Sequence, residues 1–110
     1  MTVPKINTIN VHDFKKLRDT DPDVCLIDVR EPHEWKEVHI PGAMHIPKDE
    51  LTAVIEDKVP EYNRPIYLHC KGGVRSLHAA HSLLAMGYHE VYSIDGGILE
   101  WEKSGYPVKR

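Results

Sequence analysis

Cysteine is scarce in this chain, with two residues among 110, so at most one disulfide is available. Long apolar runs are missing too: no segment approaches a membrane span, and Met1 to Asn10 lacks the apolar middle of a signal peptide. Neither sign of charge dominates. Lys and Arg number 14 against 17 Asp and Glu, a formal net charge of −3, which argues against a nucleic-acid binder. Internal repeats, low-complexity tracts and interdomain linkers are absent as well. An intracellular, cytoplasmic location follows as the default, with no membrane partner. What is present is ordinary for a globular protein: 41% hydrophobic and 28% charged residues. The length suits one modest core, so residues 1–110 are expected to form a single domain.

Apolar patterning alternates between strand-like and helix-like stretches. Ile6 to Ile9 reads as a short edge strand, and Asn10 as the N-cap of a helix ending near Arg18, with Val11, Phe14 and Leu17 on its apolar side. Asp19 to Asp23 is a polar turn. Val24 to Val29 is nearly continuous in apolar character, as in a strand covered on both faces. Glu31 to Trp35 reads as a short helix. Pro41-Gly42 suits a type II turn into a strand over Met44 to Ile46. A helix from Lys48 or Asp49 to Asp57 buries Leu51, Val54 and Ile55. Strands at Ile66–Leu68 and Val91–Ile94 follow, the latter leading through Asp95-Gly96-Gly97 into a short helix with Ile98, Leu99 and Trp101. The two glycines there suggest a close backbone approach beside the other glycine-bearing loop. The fold class is α/β, with a mainly parallel sheet flanked by helices on both sides.

One stretch concentrates the chemistry. Ile66-Tyr67-Leu68 delivers His69-Cys70; Lys71-Gly72-Gly73 follow, and a helix pattern runs from Ser76 towards Gly87, with Leu77, Ala80, Leu83 and Leu84 on one face. Paired glycines let the loop amides turn inward as an anion-binding nest. The helix N-terminus adds partial positive charge, and Lys71 and Arg75 add full charges. These features favour a thiolate at Cys70, the form that acts as a nucleophile. The blander account is a small buried thiol in a tight turn, with Arg75 a solvated charge. The combination of strand, thiol, cationic glycine loop and helix start favours the nucleophile.

The remaining candidates carry less. Cys25 opens its strand while Cys70 closes its own, roughly 10 Å apart along parallel strands, too far for a disulfide. Cys25 is expected in the core. Asp28 and Arg30 lie at a strand's carboxyl end, where open α/β sheets bind ligands. Their plainer role is structural: Asp28 capping the next helix and Arg30 pairing with a carboxylate. His39 is expected to tie down its loop. The eight histidines are scattered, with no set at zinc spacing, so no metal is expected.

The string His69-Cys70-Lys71-Gly72-Gly73-Val74-Arg75-Ser76 resembles the active-site loop of single-domain rhodanese-like sulfurtransferases. The resemblance extends through Leu26-Ile27-Asp28-Val29-Arg30-Glu31, Glu34-Trp35, His39-Ile40-Pro41-Gly42-Ala43, Ile46-Pro47, and Asp95-Gly96-Gly97-Ile98 with Trp101. It implies a five-stranded sheet, Cys70 as the catalytic residue, and a substrate-binding loop of Lys71, Gly72, Gly73, Val74 and Arg75. Asp28, Arg30 and Ser76 are implied as supporting residues near the loop, and no cofactor is implied. The implied reaction takes sulfane sulfur from thiosulfate or a persulfide donor onto Cys70 and hands it to a thiophilic acceptor.

Alternatives remain open. The relay reading passes sulfur to a ubiquitin-like carrier protein in tRNA, thiamine or molybdopterin pathways, because Val29 to Glu34 and the loop resemble domains fused to adenylating enzymes. A cysteine-dependent phosphatase is disfavoured: that related loop has one residue more between Cys and Arg than the four found here. A non-catalytic binding module is disfavoured because such modules usually lose the cysteine.

Overall fold

A computed structural model of the protein describes residues 6–110; residues 1–5 of the expected domain lie outside the described part. Strand β1 (Asn7–Asn10) leads into helix α1 (Val11–Thr20) and strand β2 (Cys25–Asp28). Helix α2 (Pro32–Glu37), strand β3 (Met44–His45) and helix α3 (Lys48–Lys58) follow. Strand β4 (Ile66–His69), helix α4 (Val74–Ala85), strand β5 (Val91–Asp95) and helix α5 (Gly97–Lys103) complete the chain. The five strands form one sheet in the order β1-β5-β4-β2-β3, with every pairing parallel.

Two apolar layers cover the sheet. On one face Ile27, Val29 and Leu68 meet Leu51 and Ile55 of α3 and Ala80 and Leu83 of α4. On the other, Leu26, Tyr67 and Ile94 meet Val11 and Phe14 of α1 and Ile98 and Trp101 of α5. This is the period-two alternation of strands buried on both sides. Connections from the adjacent strands β2 and β4 leave in opposite directions, one to β3 and the other to β5. Such a switch point opens a crevice beyond the carboxyl ends of those strands. Asp28 ends β2 there, and His69 ends β4 as its register partner, with Cys70 next.

Local boundaries shift from expectation for identifiable reasons. Asn10 caps α1, accepting from the Asp13 amide at 2.8 Å, but the helix runs to Thr20, whose hydroxyl donates to the Leu17 carbonyl at 2.9 Å. Helix α4 begins at Val74 instead of Ser76, because Gly73 sits at φ 114° and turns the chain directly into the helix. Its buried face is accordingly Ser76, Ala79, Ala80 and Leu83, while Leu77 and Leu84 are half-buried. Cys25 stands opposite Ile66, four residues before Cys70, and both thiols are buried and free. No helix among the described residues is long and apolar enough to cross a membrane.

Candidate active site

Cys70 follows β4 at the switch point and is 1% exposed. The main chain then wraps its sulfur. The carbonyls of Cys70 and Lys71 face outward to α5, accepting from the amides of Ile98 at 3.0 Å and Leu99 at 3.2 Å. With those carbonyls held outside, the Gly73 N–H turns inward and donates to Cys70 Sγ at 3.0 Å. Gly97 makes the contact feasible. A Cβ at that position, where φ is 56°, would lie 2.4 Å from the Cys70 carbonyl oxygen. The close approach expected from the second glycine pair is therefore the feature that shapes the nest. Helix α4, starting four residues after Cys70, places its positive end behind the sulfur.

Two buried hydroxyls lie beneath it. Ser76 Oγ is 3.6 Å from Cys70 Sγ and donates to the Gly73 carbonyl at 3.0 Å. Ser93 Oγ stands 2.6 Å from Ser76 Oγ. Because the Ser76 proton goes to Gly73, Ser93 is the donor between the two hydroxyls. Ser93 carried no signal in the sequence beyond being a polar residue inside the apolar strand Val91–Ile94.

Asp28 and Arg30 are brought together beside the loop. Arg30 Nε lies 3.0 and 3.1 Å from the two Asp28 oxygens, and Nη2 lies 2.8 Å from Oδ2. Arg30 also donates to the Val38 carbonyl at 2.6 Å. Both residues are buried, so each charge depends on the other. The carboxylate partner of Arg30 is thus Asp28 itself. Capping of α2 falls to other residues: the Glu31 amide donates to Glu34 Oε1 at 2.9 Å. His69, wholly buried, has its pKa pushed down, chiefly by desolvation against an opposing pull from Asp28. Its Nδ1 is 3.3 Å from the Cys70 carbonyl oxygen, and its Nε2, 3.6 Å from Asp28, has no hydrogen-bond partner among the described residues. His39 does tie down its loop, with Nδ1 3.0 Å from the Trp35 carbonyl oxygen.

Arg75, on the first turn of α4, is not a solvated charge. Its terminal nitrogens meet Glu34 Oε1 at 2.6 Å and Oε2 at 2.9 Å. The hydrogen bond from Arg75 is the largest cause holding the Glu34 carboxyl down to about 2, and Glu34 in turn raises the Arg75 pKa. Glu34 lies 41 residues away in sequence, so no local motif announces the pair. Lys71 is exposed and makes no ion pair among the described residues. Gly72 is open on its Cα side, and Val74 is 68% exposed at the rim. A cleft of about 200 Å³ opens here, lined by Arg30, Glu34, Glu37, Lys71 and Leu99 among others. That is small beside the roughly 300–1,000 Å³ of drug-sized ligand sites, and Lys71 is the loop residue that lines it. A larger cleft of about 340 Å³, between Arg18, Pro41, Trp101 and Pro107, holds no thiol. No three His, Cys, Asp or Glu side chains among the described residues gather as metal ligands.

A buried thiol that receives the Gly73 amide, at the switch point of this sheet, agrees with the resemblance carried by the loop, and residues 10–104 match the rhodanese-like domain family. The chain belongs to that family. This rhodanese-like chain is 36% identical over 104 residues to the probable adenylyltransferase/sulfurtransferase MoeZ of Mycobacterium tuberculosis. That alignment takes in 94% of the chain and 26% of MoeZ, so the chain spans about a quarter of that relative's length. It is 31% identical over 84 residues to the thiosulfate sulfurtransferase GlpE of Vibrio cholerae, covering 76% of the chain and 77% of GlpE. The solution structure of the rhodanese-like domain of an Anabaena protein superposes with a TM-score of 0.84 at 26% identity. It covers 96% of this chain and 80% of that one.

Proposed function

We propose that this chain acts as one rhodanese-like domain that loads sulfane sulfur onto Cys70 and passes it on. The observation that carries the reading is the Gly73 amide aimed at Cys70 Sγ from 3.0 Å, inside a loop whose Cys70 and Lys71 carbonyls are turned to α5. Thiosulfate is a suitable donor, as the likeness to GlpE supports. The Cys70 thiolate attacks the outer sulfur of thiosulfate; a new S–S bond forms, the old one breaks, and sulfite departs with the electron pair. A nucleophilic acceptor then attacks the outer sulfur of the persulfide and returns Cys70 as thiolate. Amides of the loop from Lys71 to Val74 stabilise the anionic persulfide, and Lys71 attracts the anionic end of a donor, joined by Arg75 where the donor displaces Glu34. Asp28, at the end of β2, and Arg30, just beyond it, brace the loop, and Ser76 holds the loop closed beneath the sulfur through its bond to the Gly73 carbonyl. No step calls for a cofactor.

Thiosulfate:cyanide sulfur transfer tests the reading. Cys70→Ser is expected to abolish thiocyanate formation, while Cys25→Ser keeps most of it. Burial raises the Cys25 thiol pKa, which leaves that group protonated and inert. Turnover retained in Cys70→Ser overturns the mechanism.

A second reading makes the acceptor a protein, with the domain serving as a persulfide relay. The likeness to part of MoeZ supports it. So does the rim: Val74 and Leu99, 68% and 53% exposed, begin α4 and α5 on either side of the loop.

A further inference from the structure

Glu34 holds the one cation of the loop that is fixed in place. Helix α2, which carries it, has six residues and none fully buried, so deep packing does not dictate where Glu34 sits. The helix is instead clamped from the side, where Trp35 stacks on His39 at 3.8 Å and on His45 at 4.9 Å between ring centres. Glu34 reaches from this clamp to Arg75 and engages both terminal nitrogens. The other cations differ in kind. Arg30 is buried and committed to Asp28, and Lys71 is exposed on the loop.

We infer that Glu34 is a specificity-determining residue: a built-in competitor that occupies Arg75 and disfavours donors with a strongly anionic end. This inference rests on the proposed loading of Cys70 with sulfur. With Glu34 in place, Arg75 is paired, Arg30 is paired with Asp28 and Arg110 with Glu102, and Lys71 makes no ion pair among the described residues. The thiosulfate dianion must either displace Glu34 from a bidentate, charge-assisted pair or bind through Lys71 alone. A hydropersulfide with an uncharged tail needs neither, since its sulfane sulfur meets only the thiolate and the loop amides. In that transfer the thiolate attacks the outer sulfur, the donor S–S bond breaks, and the alkyl thiolate leaves with the electron pair. Glu34 is ionised throughout the neutral range, as any Glu with its pKa at or below the usual value is, so the competition is permanent.

The experiment measures the rate at which the Cys70 peptide gains one sulfur in the full chain. Thiosulfate is compared with the hydropersulfide of 2-mercaptoethanol over a range of concentrations. Glu34→Gln is the informative variant, because its amide oxygen can still accept from the Glu31 amide and preserve the start of α2. Half-saturation by thiosulfate is expected at about tenfold lower concentration in Glu34→Gln, while loading from the hydropersulfide changes by less than about twofold. The gain disappears in Glu34→Gln/Arg75→Gln, since the vacated guanidinium is gone. Equal shifts with both donors, no shift with thiosulfate, or a gain that survives the double substitution overturns the inference. When wild type loads and only the donor ratio is unmoved, the sulfur-uptake reading survives without it. Failure of wild type to load from either donor defeats both.

Discussion

Glu34 and Arg75 form a partly exposed ion pair whose stability should follow the carboxyl's titration. A Glu in the unfolded chain titrates at about 4.3, whereas Glu34 is held to about 2, first of all by the Arg75 hydrogen bond. Between those values the unfolded state binds more protons, so the pair's contribution is complete above the unfolded pKa and fades as pH falls through the folded one. Arg75 is 33% exposed, and solvent screening limits the contribution to about 1 kcal/mol or less. Wild type is therefore expected to exceed Glu34→Gln in urea stability at neutral pH by up to that amount. The gap should close on acidification towards pH about 2. A gap that is independent of pH would show that the carboxyl contributes nothing through its charge. At this scale the sequence was legible where chemistry is local. Cys70, the paired glycines, Arg75 and Ser76 stand within seven residues and announce a nest. Glu34, Ser93 and the buried His69 were not legible in their roles, because each depends on a neighbour that only the fold supplies.

Among the elements, the junction of the Cys70 loop with α5 decides the shape of the site. Cys70 and Lys71 turn their carbonyls to the Ile98 and Leu99 amides, and Gly97 lets the backbones meet. In Gly97→Ala the new Cβ would collide with the carbonyl oxygens of Cys70 at 2.4 Å and Lys71 at 2.5 Å, at a backbone φ of 56° that disfavours a side chain. The expected loss is about 1–3 kcal/mol in denaturant titration, with slower sulfur loading because the loop amides are displaced. Unchanged stability and loading would show that the two elements can separate without consequence. The sequence pattern located both junctions and the close approach, since paired glycines after a strand have few other uses. It misplaced the start of α4 and its buried face, because the helical phase is set by the left-handed conformation of Gly73. Apolar spacing alone does not reveal that.

Across the whole molecule, alternation of strand and helix signals was enough to expect a parallel sheet with helices on both faces. The order β1-β5-β4-β2-β3 was not contained in that alternation, since any right-handed set of crossovers satisfies it. The order matters, because it puts Asp28 and Cys70 at adjacent strand ends and leaves Cys25 at the far end of β2. Both cysteines are buried, so accessibility does not separate them; surroundings do. Both border the same apolar layer, but burial raises the Cys25 thiol pKa, whereas Cys70 receives an amide at its sulfur. The most direct measurement is peptide mapping by mass spectrometry after brief exposure of the full chain to thiosulfate. The account predicts one added sulfur on the peptide containing Cys70, none on the peptide containing Cys25, and no added sulfur anywhere in Cys70→Ser. Sulfur on the Cys25 peptide, or uptake that persists in Cys70→Ser, would contradict it.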